Sequence, residues 1–188
     1  MPRIALISGT RTGIGKELAL HLLSQDFTVV GCSRGDGDID HHGYLHYNCD
    51  VANEKQVIGL CREVATRFGR IDVLINNAGI ASMNHLLLTP TETAKKVMET
   101  NYMGTFIFTR EVGKIMARRK HGRIVNMTTV ARALNLEGEA VYASSKAAVE
   151  TLTRVSSIEL APLGITVNAL GISPVSYTHL TLPTNREV

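Results

Sequence analysis

Short apolar runs alternate along this chain with longer stretches in which apolar residues recur at helical spacing. The first run, residues 4–7, is followed by Ile14, Leu18, Leu22 and Leu23, which share one helical face ending near Ser24. A second run at 27–32, rich in β-branched residues, leads through a polar turn at 33–43 to a third strand at 44–48. Val57, Leu60, Cys61, Val64 and Phe68 mark the next amphipathic helix, and Gly69 is placed to stop it. Residues 71–75 read as a fourth strand buried on both flanks. After a loop through Pro90, a long helical region is predicted over 91–120, with Gly104 and Gly113 as places for a bend. A strand at 123–128, a helix at 139–161 and a strand at 165–170 complete the pattern. Strands that read as continuous apolar runs and alternate with helices predict an α/β fold, a parallel sheet covered on both faces.

At 188 residues the chain is long enough for one domain with a substantial core. Its formal charge of +3 is too small to argue for a nucleic-acid partner, and no apolar run approaches bilayer length, so no membrane partner is expected either. The chain enters an apolar strand almost at once, without the layout of a signal peptide, and the expected location is cytoplasmic. Cys32, Cys49 and Cys61 are odd in number and widely spaced, which predicts buried, reduced thiols. His41, His42 and His46 match no common zinc spacing, so a polar loop running into a strand is expected and no metal. The basic residues from Lys114 to Arg123 complement a helix C-terminus; the alternative is docking of an acidic partner such as a carrier protein or nucleotide.

Directly after the first strand, Ser8-Gly9-Thr10-Arg11-Thr12-Gly13-Ile14-Gly15 opens into a helix. Glycines there let the backbone turn tightly and approach a pyrophosphate seated on the helix N-terminus. The spacing differs from Gly-x-Gly-x-x-Gly, and the Gly-Lys-Ser/Thr of a P-loop is absent. The second strand ends in Gly31-Cys32-Ser33-Arg34, with no acid to hold a free ribose. Arg34, with Arg11 nearby, suits a 2′-phosphate and points to NADP(H), with NAD(H) as the alternative. Tyr142 and Lys146 lie four residues apart on one helical face. Side by side, the ammonium favours the phenolate and pulls the tyrosine pKa down from about 10, making it a proton donor and acceptor at a carbonyl or alcohol oxygen.

Five motifs together resemble the short-chain dehydrogenase/reductase family. They are Gly9, Gly13 and Gly15; Asp50-Val51; Asn76-Asn77-Ala78-Gly79; Asn101 with Gly104; and Tyr142 with Lys146, in the family's order from Ile4 to about Leu170. The resemblance implies a Rossmann-type doubly wound sheet with strand order 3-2-1-4-5-6. It implies a cofactor bound by Gly9, Arg11, Thr12, Gly13, Ile14, Gly15, Ser33 and Arg34, with Asp50 and Val51 on the adenine and Asn77, Ala78 and Gly79 alongside. It also implies Lys146 on the nicotinamide ribose and Asn101 holding a water that relays protons. Thr129 stands where the family usually has a serine, thirteen residues before the tyrosine; its added methyl and stiff χ1 are expected to narrow the substrate range. The implied reaction is hydride transfer between NADP(H) and a ketone or secondary alcohol, with Tyr142 as proton donor. The 3-oxoacyl-carrier-protein reductases are a frequent type with this look, which makes an acyl-carrier-linked substrate one expectation. Sugar, polyol, steroid and xenobiotic carbonyl reductases share the same motifs. A homodimer or homotetramer is implied as well.

After the sixth strand the family's Asn-Ala-x-x-Pro-Gly is replaced by the irregular Asn168-Ala169-Leu170-Gly171-Ile172-Ser173-Pro174. Residues 1–174 are therefore read as an incomplete NAD(P)-binding domain without the seventh strand or substrate loop. Residues 175–188 are read as a non-native tail, because 175–184 back-translate to the end of a sequencing adapter. Apolar faces short of cover predict poor solubility. Two alternatives to an active enzyme stand beside this: an inactive fragment, and a non-catalytic nucleotide-binding regulator, against which the intact Asn101, Thr129, Tyr142 and Lys146 argue.

Overall fold

The computed structural model describes residues 2–130, 134 and 136–172, so the expected tail and the boundary at Pro174 lie outside the described residues. Six strands, β1 (Ile4–Ser8), β2 (Thr28–Ser33), β3 (Tyr44–Asn48), β4 (Val73–Asn76), β5 (Gly122–Thr129) and β6 (Ile165–Ile172), form one sheet. The order is β3-β2-β1-β4-β5-β6, as the resemblance implies, and every ladder is parallel, as the alternation of strands and helices predicts. The order reverses between β1 and β4, and at such a switch point the strands' carboxyl ends part to leave a crevice. All five residues of β1 are buried, which explains why it reads as an unbroken apolar run.

Helices α1 (Gly13–Ser24), α2 (Glu54–Phe68), α3 (Thr91–Met98), α4 (Gly104–Arg119) and α5 (Ala140–Leu160) flank the sheet. On one face, Leu6, Val30, Leu74 and Ile124 pack with Val57 and Val64 of α2 and with Phe108 and Val112 of α4. On the other, Ile7, Val29 and Ile75 pack with Ala19 and Leu23 of α1. The alternation of faces along each strand sorts its residues between these two cores. Asn53 caps α2, accepting from the Gln56 N–H at 3.2 Å, and Gly69 ends it with φ +69° and its N–H on the Ala65 carbonyl. The three cysteines are buried free thiols, and burial pushes Cys61 up to about 12. His41 and His42 lie in the loop before β3, as expected, and His46 lies within β3.

Two elements differ from the sequence reading. The helix predicted over 91–120 is broken not at a glycine but by a wide π-turn at Glu99–Met103. Asn101, fully buried in that turn, donates to the Ile80 carbonyl and to Ser145 Oγ, both at 2.9 Å, and accepts from the Ile80 N–H at 2.8 Å. Bonds to two distant segments decide the local winding. Strand β4 starts later than predicted, because Asp72 turns its carboxylate to the Ile4 N–H at 2.8 Å and forms an ion pair with Arg70.

A buried polar ladder crosses beneath the sheet to the helix that carries Tyr142. Asn76 Nδ2 donates to Asn126 Oδ1 at 2.8 Å and to Thr109 Oγ1 at 3.1 Å, and Asn126 Nδ2 donates to Thr153 Oγ1 at 2.8 Å. It ties β4, β5, α4 and α5 together, and leaving one such buried partner unpaired costs about 1–3 kcal/mol. The placement of α5 thus depends on directional bonds as well as on burial.

Candidate active site

Gly9 leaves β1 with φ +76°, and a Cβ there would stand 2.9 Å from the Ala78 Cα. At Gly15 a Cβ would overlap the Gly9 carbonyl oxygen, so the turn can fold back onto α1 only without side chains at both places. Thr12, the N-cap of α1, makes no side-chain cap bond, and no acid lies in the first turn. The first N–H groups, at the positive end of the helix, are left to a ligand, and this end suits a phosphate.

The exit from β4 is stitched to this turn. Asn77 Nδ2 donates to the Ser8 and Gly9 carbonyls at 3.0 and 3.1 Å, while Ser8 Oγ accepts from the N–H groups of Asn77 and Ala78, both at 3.1 Å. Asp50 follows β3, with Oδ1 accepting from the Ala52 N–H at 3.0 Å and its own N–H donating to Gln56 Oε1 at 2.8 Å. Ser33 ends β2 across from Asn48, and Arg34 follows it.

Tyr142 and Lys146 sit one turn apart on α5, as predicted, but they do not form a phenolate–ammonium pair. Lys146 is 6% exposed, its Nζ donates to the Met127 carbonyl at 2.8 Å, and burial pulls its pKa down to about 8. Burial pushes the Tyr142 phenol up, the hydrogen bond with Thr129 draws it back, and the Glu139 charge raises it again. The expected lowering of Tyr142 by the lysine is thus corrected: desolvation dominates both groups. Asn101 lies under the pair, with both amide hydrogens given to Ile80 and Ser145, so its side-chain donors position the loop and α5.

A cleft of about 710 Å³ at the strands' carboxyl ends joins these parts. Of the predicted residues, Gly9, Arg11, Thr12, Ile14 and Gly15 line it from the turn; Ser33, Arg34, Asp50 and Val51 from one side; and Asn77, Ala78, Gly79, Tyr142 and Lys146 from the other. Gly13 is in the turn but not on the wall, Asn101 is buried behind it, and Thr129 faces an adjoining cavity formed by β5, β6 and α5. Gly35, Cys49, Thr100, Met127 and Thr128 also line the cleft and were not foreseen. A strand-end position was the signal for Met127 and Thr128; the Met127 carbonyl, a backbone acceptor, leaves no mark in sequence. The basic side chains at one end, the free helix N-terminus between, and the hydroxyl and ammonium at the other fit a dinucleotide. Among the described residues, no cluster could hold a metal ion and no helix is long and apolar enough to cross a membrane.

The short chain dehydrogenase family model matches residues 3–188. The chain belongs to that family. It is an oxidoreductase fold whose relatives act on different compounds at similar distance. One, 36% identical over 178 residues, is a 3-oxoacyl-[acyl-carrier-protein] reductase of Synechocystis sp., and the match covers 89% of this chain and 72% of that one. Another, 36% identical over 177 residues and covering 89% and 71%, is the (2S)-[(R)-hydroxy(phenyl)methyl]succinyl-CoA dehydrogenase subunit BbsD of Thauera aromatica. The solved structure of ElxO with NADP bound aligns at a TM-score of 0.85 and 32% identity, over 92% of this chain and 74% of that one. Membership of this short chain dehydrogenase family agrees with the motifs and with the strand order.

Proposed function

We propose that this protein interconverts a ketone and a secondary alcohol with NADP(H), on an acyl group joined to a carrier. The observation that carries the reading is one cleft holding Arg11 and Arg34 at one end and Tyr142 and Lys146 at the other, with Thr129 bonded to the phenol. When bound, NADP(H) supplies the hydride, or accepts it in the reverse direction. Arg34 and Arg11 would pair with the 2′-phosphate, the N-terminus of α1 would receive the pyrophosphate, and Asp50 would accept from the adenine amino group. Thr129 and Tyr142 hold the substrate oxygen, and the phenol, kept protonated by burial, delivers its proton as charge develops there. Lys146, at about 8, is the group poised to reprotonate it near working pH. A water held at Asn101 would have to use Oδ1, which already accepts from the Ile80 N–H, or the main chain.

Two observations support the substrate class. The two relatives' names both place the reaction on an acyl group borne by a carrier protein or CoA. Beyond the cleft wall at Ile80 and Ala81, Met83, Leu86, Leu87 and Leu88 are exposed, and the Asn84 N–H holds this loop to the Gly138 carbonyl before α5 at 2.9 Å. That gives an acyl chain apolar surface at the mouth. Homo-oligomeric assembly through α4 and α5 belongs to the same proposal, supported by the exposed Val155 and Ile158 of α5.

Exchange of Arg34 for Asp tests the cofactor assignment. NADPH affinity is expected to fall at least about thirtyfold, the worth of a charge-assisted phosphate contact, with NADH changed less than about threefold. Fluorescence titration of both cofactors measures it, and equal losses for the two contradict the assignment.

A further inference from the structure

Four side chains outside the reacting set form one hydrogen-bonded chain beneath the adenosine end of the cleft. Thr10 Oγ1 lies 2.9 Å from Tyr44 Oη, which lies 2.8 Å from His46 Nδ1. His46 Nε2 lies 2.9 Å from the Gly35 carbonyl oxygen and 3.1 Å from Ser33 Oγ, and Ser33 Oγ itself donates to the Gly35 carbonyl at 2.6 Å. The directions follow from the one group that can only accept. The Gly35 carbonyl requires the hydrogen on Nε2, so Nδ1 accepts from Tyr44. Burial raises the Tyr44 phenol, which therefore stays a donor, and its oxygen accepts from Thr10. The chain crosses β2 at Gly31, where a Cβ would overlap both Tyr44 Oη and Thr10 Oγ1. Gly31 pairs with Ile7 on one side and with His46 on the other, so the network links β1, β2 and β3 at one level.

What this network holds is the pair of residues flanking Arg34. Arg11 closes on the same spot, since a Cβ on Gly35 would stand 3.1 Å from Arg11 Nη1. The loop beyond is fastened separately, Asp36 by Asn48 at 2.8 Å and Asp38 by Lys16 at 2.7 Å. Ser33, Arg34 and Gly35 line the cleft, whereas His46 stands behind them.

We propose that His46 is a positioning residue for cofactor selection: by holding Ser33 and Gly35 it fixes the backbone of Arg34 where Arg34 and Arg11 meet the 2′-phosphate of NADPH. The proposal rests on the NADP(H) reading. NADH has no phosphate at this place, so the loss of His46 falls on one cofactor and not the other. A merely structural histidine would weaken both.

Isothermal titration calorimetry with NADPH and with NADH, on the wild type and on His46→Ala, His46→Gln and Arg34→Ala, tests this. His46→Ala is expected to weaken NADPH about tenfold and NADH less than about twofold, the effect of one lost ordering hydrogen bond. His46→Gln keeps an N–H that reaches the Gly35 carbonyl and is expected to restore most of the NADPH affinity. If His46→Ala is recovered unfolded, Tyr44→Phe carries the test, with NADPH weakened about threefold and NADH unchanged. Equal losses for both cofactors, or none, overturn the role of His46 while Arg34→Ala still abolishes the preference. A wild type without preference for NADPH overturns the cofactor reading itself, and the proposal with it.

Discussion

Tyr142→Phe lowers turnover about a thousandfold or more while the dissociation constant for NADPH changes less than about twofold. The substitution removes one oxygen, and with it the bond to Thr129, but keeps the half-buried ring, so the fold is expected to be retained. Thr129 retains its hydroxyl and can still hold the substrate oxygen, but it has no acidity to offer near neutral pH. The proton must then come from water, and the general-acid contribution, about a hundred- to ten-thousandfold in comparable settings, is lost. Steady-state rates together with cofactor titration separate the two effects. Near-normal turnover in the variant, or loss of NADPH binding in proportion to rate, contradicts the assignment.

Lys146→Met removes activity yet stabilises the ligand-free chain. Burial lowers the ammonium from an ordinary 10.5 to about 8, and among the described residues no carboxylate offsets the desolvation. Between those two values the unfolded chain binds more protons than the folded one, so stability rises with pH across that window. Below about 8 the penalty is fully present, of order 3 kcal/mol from the size of the shift. Methionine fills similar space without charge and loses a charge-assisted bond to the Met127 carbonyl worth about 1.5–3 kcal/mol, leaving a net gain of at most about 1.5 kcal/mol. At pH 7 the variant is therefore expected to melt several degrees higher than the wild type. The difference is expected to shrink as the pH is raised towards about 10. A lower melting temperature at neutral pH, or a difference that grows with pH, contradicts a lysine held at functional cost.

The alternation of strands and helices and the glycine turn were readable because each rests on short-range pattern, a buried parallel strand being a run and a crossover helix a period, whereas the order of the strands in the sheet was carried by the family resemblance alone. The break at Glu99–Met103 was not, since the apolar spacing of 91–120 continues through it and Asn101 takes its partners from Ile80 and Ser145. The spacing of Tyr142 and Lys146 was legible, but the direction of the phenol's shift was not. Spacing specifies which side chains are neighbours, while the shift depends on how deeply both are buried and on where Lys146 Nζ points. His46 looked like the end of a polar histidine cluster. Its partners, Ser33, Gly35 and Tyr44, come together only when β2 and β3 pair in register.

Incubation with deuterium-labelled NADPH and a panel of 3-oxoacyl pantetheine thioesters and simple ketones tests the central claim most directly. The expected result is deuterium on the carbinol carbon of a 3-hydroxyacyl product, formed by the wild type and not by Tyr142→Phe. NADPH that binds but is consumed with no member of the panel would contradict the account, and would favour a regulator that keeps the nucleotide site without turnover.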